Sequence, residues 1–260
     1  KDKYISGKTK SDKYKLPYIH RNSAVQYIGP DGQTFNEGKI ITALKQRPKS
    51  LLKQNEKMRH SNGEQEQFFN IGFAALTGIA VDEQTGKLII VNTCPGAGSC
   101  KVDCFVIHQG GKIQFEGPWL NDGRILTYLL NDPDGFFNQL SSEISKEEAL
   151  GKKGGYSVTI RWHDSGDIQS VNHLLNIAMV MKFLPSVRGW LPTREYSIVD
   201  QCKDLPDNLI VRASAHMLNA SAPSRFPNSS IVLTDNSLLP QGASLCPAYT
   251  QGGECKDCRN

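Results

Sequence analysis

Six of the chain's seven cysteines fall in two tight groups, and their spacing is the strongest chemical signal in the sequence. Cys94-Pro-Gly-Ala-Gly-Ser-Cys100-Lys-Val-Asp-Cys104 places three thiols within eleven residues, with Gly and Pro between them to let the sulfurs converge. The second group, Cys246-Pro247-Ala248 and then Cys255-Lys-Asp-Cys258, ends in a Cys-x-x-Cys knuckle suited to tetrahedral thiolate ligation. The six sulfurs can serve one shared site with spare members, or two sites each completed by a histidine. Zinc suits the knuckle, while three closely spaced cysteines also suit three irons of a four-iron cluster. A solitary cysteine is more often a small buried hydrophobe, which is the reading for Cys202.

A second constellation is His163-Asp164-Ser165-Gly166-Asp167, preceded by Arg161 and followed by Gln169. Two carboxylates this close can hold separated pKa values, so that one acts as nucleophile or base while the other binds or donates. By strand alternation, Arg161 and His163 share one face. Gly166 allows close approach of a substrate ring, and an aspartate suits the N–H edge of a planar base such as guanine. The plainer role for Asp167 is an N-cap on the helix that follows.

The elements around these residues must position them. Tyr156 to Trp162 alternates like a strand, and Ile168, Val171, Leu174, Leu175, Ala178, Met179 and Met181 recur at nearly helical spacing up to Pro185. Strand, polar turn and helix make half of a β-α-β unit, with the turn at the carboxyl end where such sheets and barrels carry their chemistry. Phe68 to Val81 and Lys87 to Val91 predict a hairpin or two core strands leading into Cys94. A helical pattern covers Arg124 to Ile144, with a start signal at Asp132-Pro133-Asp134 and a stop near Gly151. A helix over Ile40 to Leu52 and strands over 208–213 and 230–234 complete an α/β chain, read as an incomplete or divergent (β/α) barrel-like sheet with a cysteine metal site.

The order Cys-Pro-Gly-Ala…Cys…Cys, Arg-x-His-x-Ser-Gly-Asp, Cys-Pro-Ala…Cys-x-x-Cys-Arg resembles the phage family of gene product eighty-eight over roughly residues 90–260. Asp164-Ser-Gly-Asp-Ile-Gln169 is similar to the Asp-Ser-Gly-Gly-Phe-Gln motif of tRNA-guanine transglycosylases, zinc-bearing barrel enzymes that exchange guanine for a 7-deazaguanine. That resemblance implies Asp164 as the base-recognising or proton-handling carboxylate, and a structural zinc at the C-terminal cysteines. It departs at Asp167 and Ile168. Leu191-Pro-Thr-Arg194 is similar to the segment after the nucleophile, yet Arg188 stands upstream, so Asp167, Asp200 and Asp235 stay open for that role.

The expected function is therefore a base-exchanging transglycosylase inserting a 7-deazaguanine into phage DNA, with Asp167, Asp164 and His163 catalytic. Arg161, Ser165, Gly166 and Gln169 would bind substrate, and Cys94, Cys100, Cys104, Cys246, Cys255 and Cys258 would hold zinc or, alternatively, an iron–sulfur cluster. The alternatives are an iron–sulfur redox or radical enzyme and a non-enzymatic DNA-binding protein.

Charge adds a partner. Residues 1–60 hold 14 Lys/Arg against 5 Asp/Glu, while the whole chain carries only +4. A basic N-terminal extension, residues 1–66, on a catalytic domain at 67–260 suits a nucleic acid, DNA or RNA, and equally suits a solvated tail. The apolar runs, such as Leu174 to Met181, are too short to span a bilayer. Clustered cysteines in a large-core protein point to metal in a reducing compartment, here the cytoplasm, so the sequons at Asn219 and Asn228 are coincidental.

Overall fold

The computed structural model describes residues 20–23, 26–28, 34–54, 65–102, 104 and 116–252. The Gly29–Gly32 turn, most of the basic arm, Cys255 and Cys258 lie outside the described residues. Three short antiparallel strands, β1 (His20–Ser23), β2 (Gln26–Ile28) and β3 (Thr34–Asn36), precede α1 (Glu37–Leu44). The expected helix over 40–52 ends at Leu44, and Pro48 lies in the extended chain that follows. Lys53 then bridges Asn70 in antiparallel fashion, exchanging two backbone hydrogen bonds of 2.8 Å.

The centre of the molecule is a five-stranded parallel sheet. It contains β4 (Glu66–Ile71), β7 (Ser157–Trp162), β8 (Arg188–Thr193), β9 (Leu209–Ser214) and β10 (Ser229–Ser230), in that spatial order. β5 (Thr77–Asp82) and β6 (Lys87–Asn92) form a separate antiparallel hairpin. The parallel strands follow one another across the sheet in chain order, as in a barrel wall; a doubly wound sheet reverses its order at the middle. Five strands leave the wall open, and no closed barrel forms among the described residues.

The apolar run from Phe68 to Val81 is divided because the chain turns between Gly72 and Leu76. Phe73 N–H bonds the Ser165 carbonyl at 3.0 Å, and Leu76 takes a left-handed φ of 60°. β4 therefore joins the parallel sheet while β5 pairs with β6. The helical pattern around Arg124 is likewise two helices, α2 (Glu116–Asn131) and α3 (Pro133–Gly154). Asp132 between them caps α3 by accepting from Gly135 N–H, with Pro133 at the first helical position.

After β7 comes α4 (Val171–Phe183), then β8, the short α5 (Tyr196–Val199) and β9. The cap of α4 is Ser170, which accepts from His173 N–H; Asp167 lies too early. One face of the sheet packs on α3 and α4 to form the main core, which includes Phe69, Ile71, Val158, Ile160, Trp162, Leu191 and Leu209. A smaller cluster of Ile40, Leu44, Ile79 and Val81 ties α1 to the hairpin. Among the described residues, no helix is long and apolar enough to cross a membrane.

Candidate functional site

The first cysteine group lies on the loop after β6, and this loop is docked on the carboxyl ends of β7, β8 and β9. Asp167 N–H (2.7 Å) and Gln169 Nε2 (3.0 Å), from the turn after β7, both donate to the Thr93 carbonyl. From the end of β8, Arg194 Nη1 donates to the Ala97 carbonyl at 2.6 Å, and Glu195 Oε1 accepts from Gly96 N–H. Beyond β9, the His216 carbonyl accepts from both N–H (3.1 Å) and Oγ (2.8 Å) of Ser99, while His216 Nε2 bonds the Arg194 carbonyl. Gly98 has a φ of +55°, and a Cβ there would lie 2.7 Å from the His216 carbonyl oxygen. Glycine between the cysteines thus permits close docking of the loop as well as its turning.

Two of the loop's thiols meet: Cys100 and Cys104 share a hydrogen bond, while Cys94 is influenced by Cys104 and Cys100 by Cys94. Cys94 Sγ accepts from Leu76 N–H at 3.3 Å, and burial pushes its pKa up to about 12. The Cys100 pKa is raised first by its bond to Cys104 and then by burial, with Arg194 acting in the opposite direction. Thiols held this way are protonated at neutral pH, and a soft cation must displace those protons to bind. The donor set, sulfur alone on one loop, suits zinc or iron–sulfur chemistry and excludes the oxygen-rich shell of calcium or magnesium. Among the described residues, no group of three or more Cys, His, Asp or Glu is placed to hold a metal ion. Cys246 is exposed and Cys202 is buried in the core.

The polar turn after β7 divides between two environments. Arg161 lies with its guanidinium 5.0 Å from the centre of the Trp190 ring. His163 does not share that face: its φ of 59° breaks the strand alternation and sends the ring into the helix-side core. There it lies 5.1 Å from both Phe73 and His173, and His173 in turn contacts Phe137. Burial holds the pKa of both histidines down, that of His173 to about 3. Gly166, at φ +76°, is packed against Phe73, so the aromatic ring that approaches it belongs to the protein.

Asp164 is half-buried and accepts from Asn70 Nδ2 at 2.5 Å and from Ser165 N–H at 3.0 Å. Ser165 Oγ donates to the Phe73 carbonyl. Asp167 is buried, and its carboxylate accepts from Thr193 Oγ1 (2.6 Å), Arg194 N–H (2.9 Å) and Ile168 N–H (2.8 Å). Burial raises its pKa to about 7 against those three bonds. It ties the β7 turn to the end of β8. Asp200 pairs with Arg225 at 2.8 Å, Asp235 caps a short 3₁₀ turn, and Arg188 is exposed at the opposite, amino end of β8.

Sequence reasoning gave no role to Arg194, which it met only as the end of Leu191-Pro-Thr-Arg194, and passed over Glu195 and His216, which with it hold the cysteine loop, and Asn70, Trp190 and Arg212 on the sheet. The available signal was polar residues closing each strand, as in Thr193-Arg194-Glu195 and Arg212-x-x-x-His216.

A parallel sheet wound in chain order, with a thiol-bearing loop across its carboxyl edge, defines the class as an open α/β protein with its candidate chemistry at one edge. The chain belongs to the phage family of gene product 88, whose model matches residues 49–258. That match begins well before residue 90 and takes in both cysteine groups. No curated protein and no solved structure matches the chain.

Proposed function

We propose that the chain is an iron–sulfur enzyme of redox or radical type, with Cys94, Cys100 and Cys104 as the cluster ligands. The observation that supports this reading most is the docked loop. The segments that follow β7, β8 and β9 each contribute hydrogen bonds that hold the cysteine loop over the edge where α/β sheets carry out chemistry. A bound cluster supplies single-electron transfer. The chain's own residues do the rest. Leu76 N–H donates to the Cys94 sulfur, Arg194 places positive charge near Cys100, and Glu195 fixes the loop through Gly96 N–H. Hydrogen bonds and charge near thiolate sulfur tune a cluster's potential. Three sulfurs from one loop leave a coordination position open, whereas structural zinc closes its shell with four ligands. A thiol-ligated centre of this kind belongs in a reducing compartment, the cytoplasm.

Anaerobic purification with iron, sulfide and zinc analysis tests the reading. Iron with sulfide, and a visible absorption lost in Cys94→Ala or Cys104→Ala, is the expected result. Colourless protein carrying one zinc, or no metal after anaerobic reconstitution, rejects it.

A second reading, base exchange of guanine for a 7-deazaguanine in DNA, draws on Asp164. This half-buried carboxylate lies at the carboxyl edge and keeps acceptor capacity beyond its two hydrogen bonds. In that chemistry Asp164 would meet the base or attack C1′ of a flipped nucleotide. Asp167, buried and taking three hydrogen bonds, would act as a fixed support. Mass spectrometry of nucleosides from DNA incubated with the protein and a deazaguanine decides it, and exchange persisting in Asp164→Ala would remove that residue from the mechanism.

A further inference from the structure

Helix α4 is apolar on both of its sides. Inward it buries Leu174, Ile177, Ala178, Val180 and Met181. Outward it presents Leu175, Met179 and Phe183, which are 46%, 55% and 72% exposed. Lys182 is the only Asp, Glu, Lys or Arg in the helix. A surface helix of a globular domain turns polar and charged residues to solvent, and a helix that is apolar all round is normally buried. The neighbouring α3 follows that rule, with Asn138, Ser142, Ser145 and Lys146 turned outward. The three exposed residues of α4 are spaced by four, so they form one continuous ridge along the helix. Single exposed apolar residues need no explanation, but a contiguous apolar patch marks an interaction surface.

The ridge is suited to a second copy of itself. Ridges of this spacing interdigitate when two helices cross at about 50°. A two-fold axis brings the same ridge from both copies together, which is the commonest closure among soluble homo-oligomers. With the helices antiparallel, Met179 lies beside the axis and Phe183 of one copy packs against Leu175 of the other. Lys182 then falls near the neutral amides of Asn172 and Asn176, and the two helix dipoles oppose. A parallel arrangement would bring the two lysines together and stack the bulky Phe183 on itself. Charge and shape thus both select the antiparallel pairing.

Area sets the strength. Taking about 200 Å² for a fully exposed side chain of this size, the ridge offers roughly 350 Å² of apolar surface per copy. A standard interface buries about 800 Å² per partner, of which about two-thirds is apolar in homodimers. The ridge supplies most of that apolar share, and Asn172, Asn176 and Lys182 supply a polar rim.

We propose that α4 is a homodimer interface, closed by antiparallel packing of Leu175, Met179 and Phe183 across a two-fold axis. Association through α4 requires no metal, so metal-free and anaerobically reconstituted protein should dimerise alike, whatever the cysteines bind.

Sedimentation velocity of the full chain tests this. The average mass should rise from monomer toward dimer over roughly 1–100 μM, a dissociation constant in the micromolar range. Met179→Glu sets two carboxylates against each other at the axis and should raise that constant at least about a hundredfold. Leu175→Glu and Phe183→Lys should each weaken the dimer, and the double variant should recover about tenfold or more, because position 175 of one copy meets 183 of the other. All four variants should keep the melting temperature of the monomer, since the substituted side chains are exposed. A chain that stays monomeric across the range, a dimer that persists in Met179→Glu, or a double variant no better than the two single ones overturns the proposal. A monomer destabilised by Met179→Glu would show that another part of the same chain covers the ridge, and overturns it too.

Discussion

The two faces of the parallel sheet are built from the same strands, yet they obey different rules. On the helix side, Phe69, Ile71, Val158, Ile160, Trp162 and Leu191 are closed off by α3 and α4, and stability comes from burial. On the other side, Asn70, Arg161, Trp190 and Arg212 interrupt what would be a second apolar layer. On that side Phe68, Asn70 and Thr159 are buried while Arg161, Trp190 and Arg212 are only partly so, and the contrast is between an apolar layer and a mixed one.

The contrast can be broken at its strong side first. Trp162→Ala removes a side chain that is 1% exposed, and urea unfolding should show a loss of about 3–5 kcal/mol. Next comes the histidine pair buried on the same side. His173 has a pKa of about 3 and that of His163 is also lowered, both by burial, so the unfolded chain binds these protons more tightly. Stability should be full above the unfolded histidine value near 6.5 and fall as pH drops from there toward 3. The slope is about 1.4 kcal/mol per pH unit for each ring. His163→Asn, which tolerates the left-handed backbone, should roughly halve the slope of stability between pH 6.5 and 5, and an unchanged slope would rule out that residue as a source.

Smaller effects sharpen the picture. Asn208 Nδ2 donates to the carbonyls of Met181, Leu184 and Val187 at 2.8–3.0 Å, joining the end of α4 to the start of β9. Asn208→Ala should cost about 1–3 kcal/mol in the same unfolding assay by removing the side-chain donor that these carbonyls share. Ser170→Ala deletes the cap of α4, for a loss of about 1 kcal/mol and reduced helical ellipticity near the melting point.

Much of the fold was legible locally. The strand ending at Trp162, the helix ending before Pro185 and the Asp132-Pro133 start all follow from periodicity and capping chemistry, which act over a few residues. The cysteine spacing was equally legible, and it singled out the loop that the tertiary structure holds at the sheet edge. The division of 68–81 between a parallel strand and a hairpin was not legible, because the same β-forming residues satisfy either pairing. Nor was the placement of His163. Alternation put it beside Arg161, but one left-handed residue at the strand end reversed its side.

By itself, then, the sequence determined an α/β chain of this family, its central strand-turn-helix unit and two groups of thiols, because composition and short-range spacing encode those directly. Only the tertiary structure decided which polar residues share a surface. Arg161, Trp190, Asn70 and Lys53 come from four segments spread from residue 53 to residue 190, and strand register alone makes them neighbours. The same holds for Asp167 and Thr193, whose side chains meet because parallel strands end together at one edge. Such pairings are set by long-range hydrogen bonding between strands, and no local pattern in the chain records them.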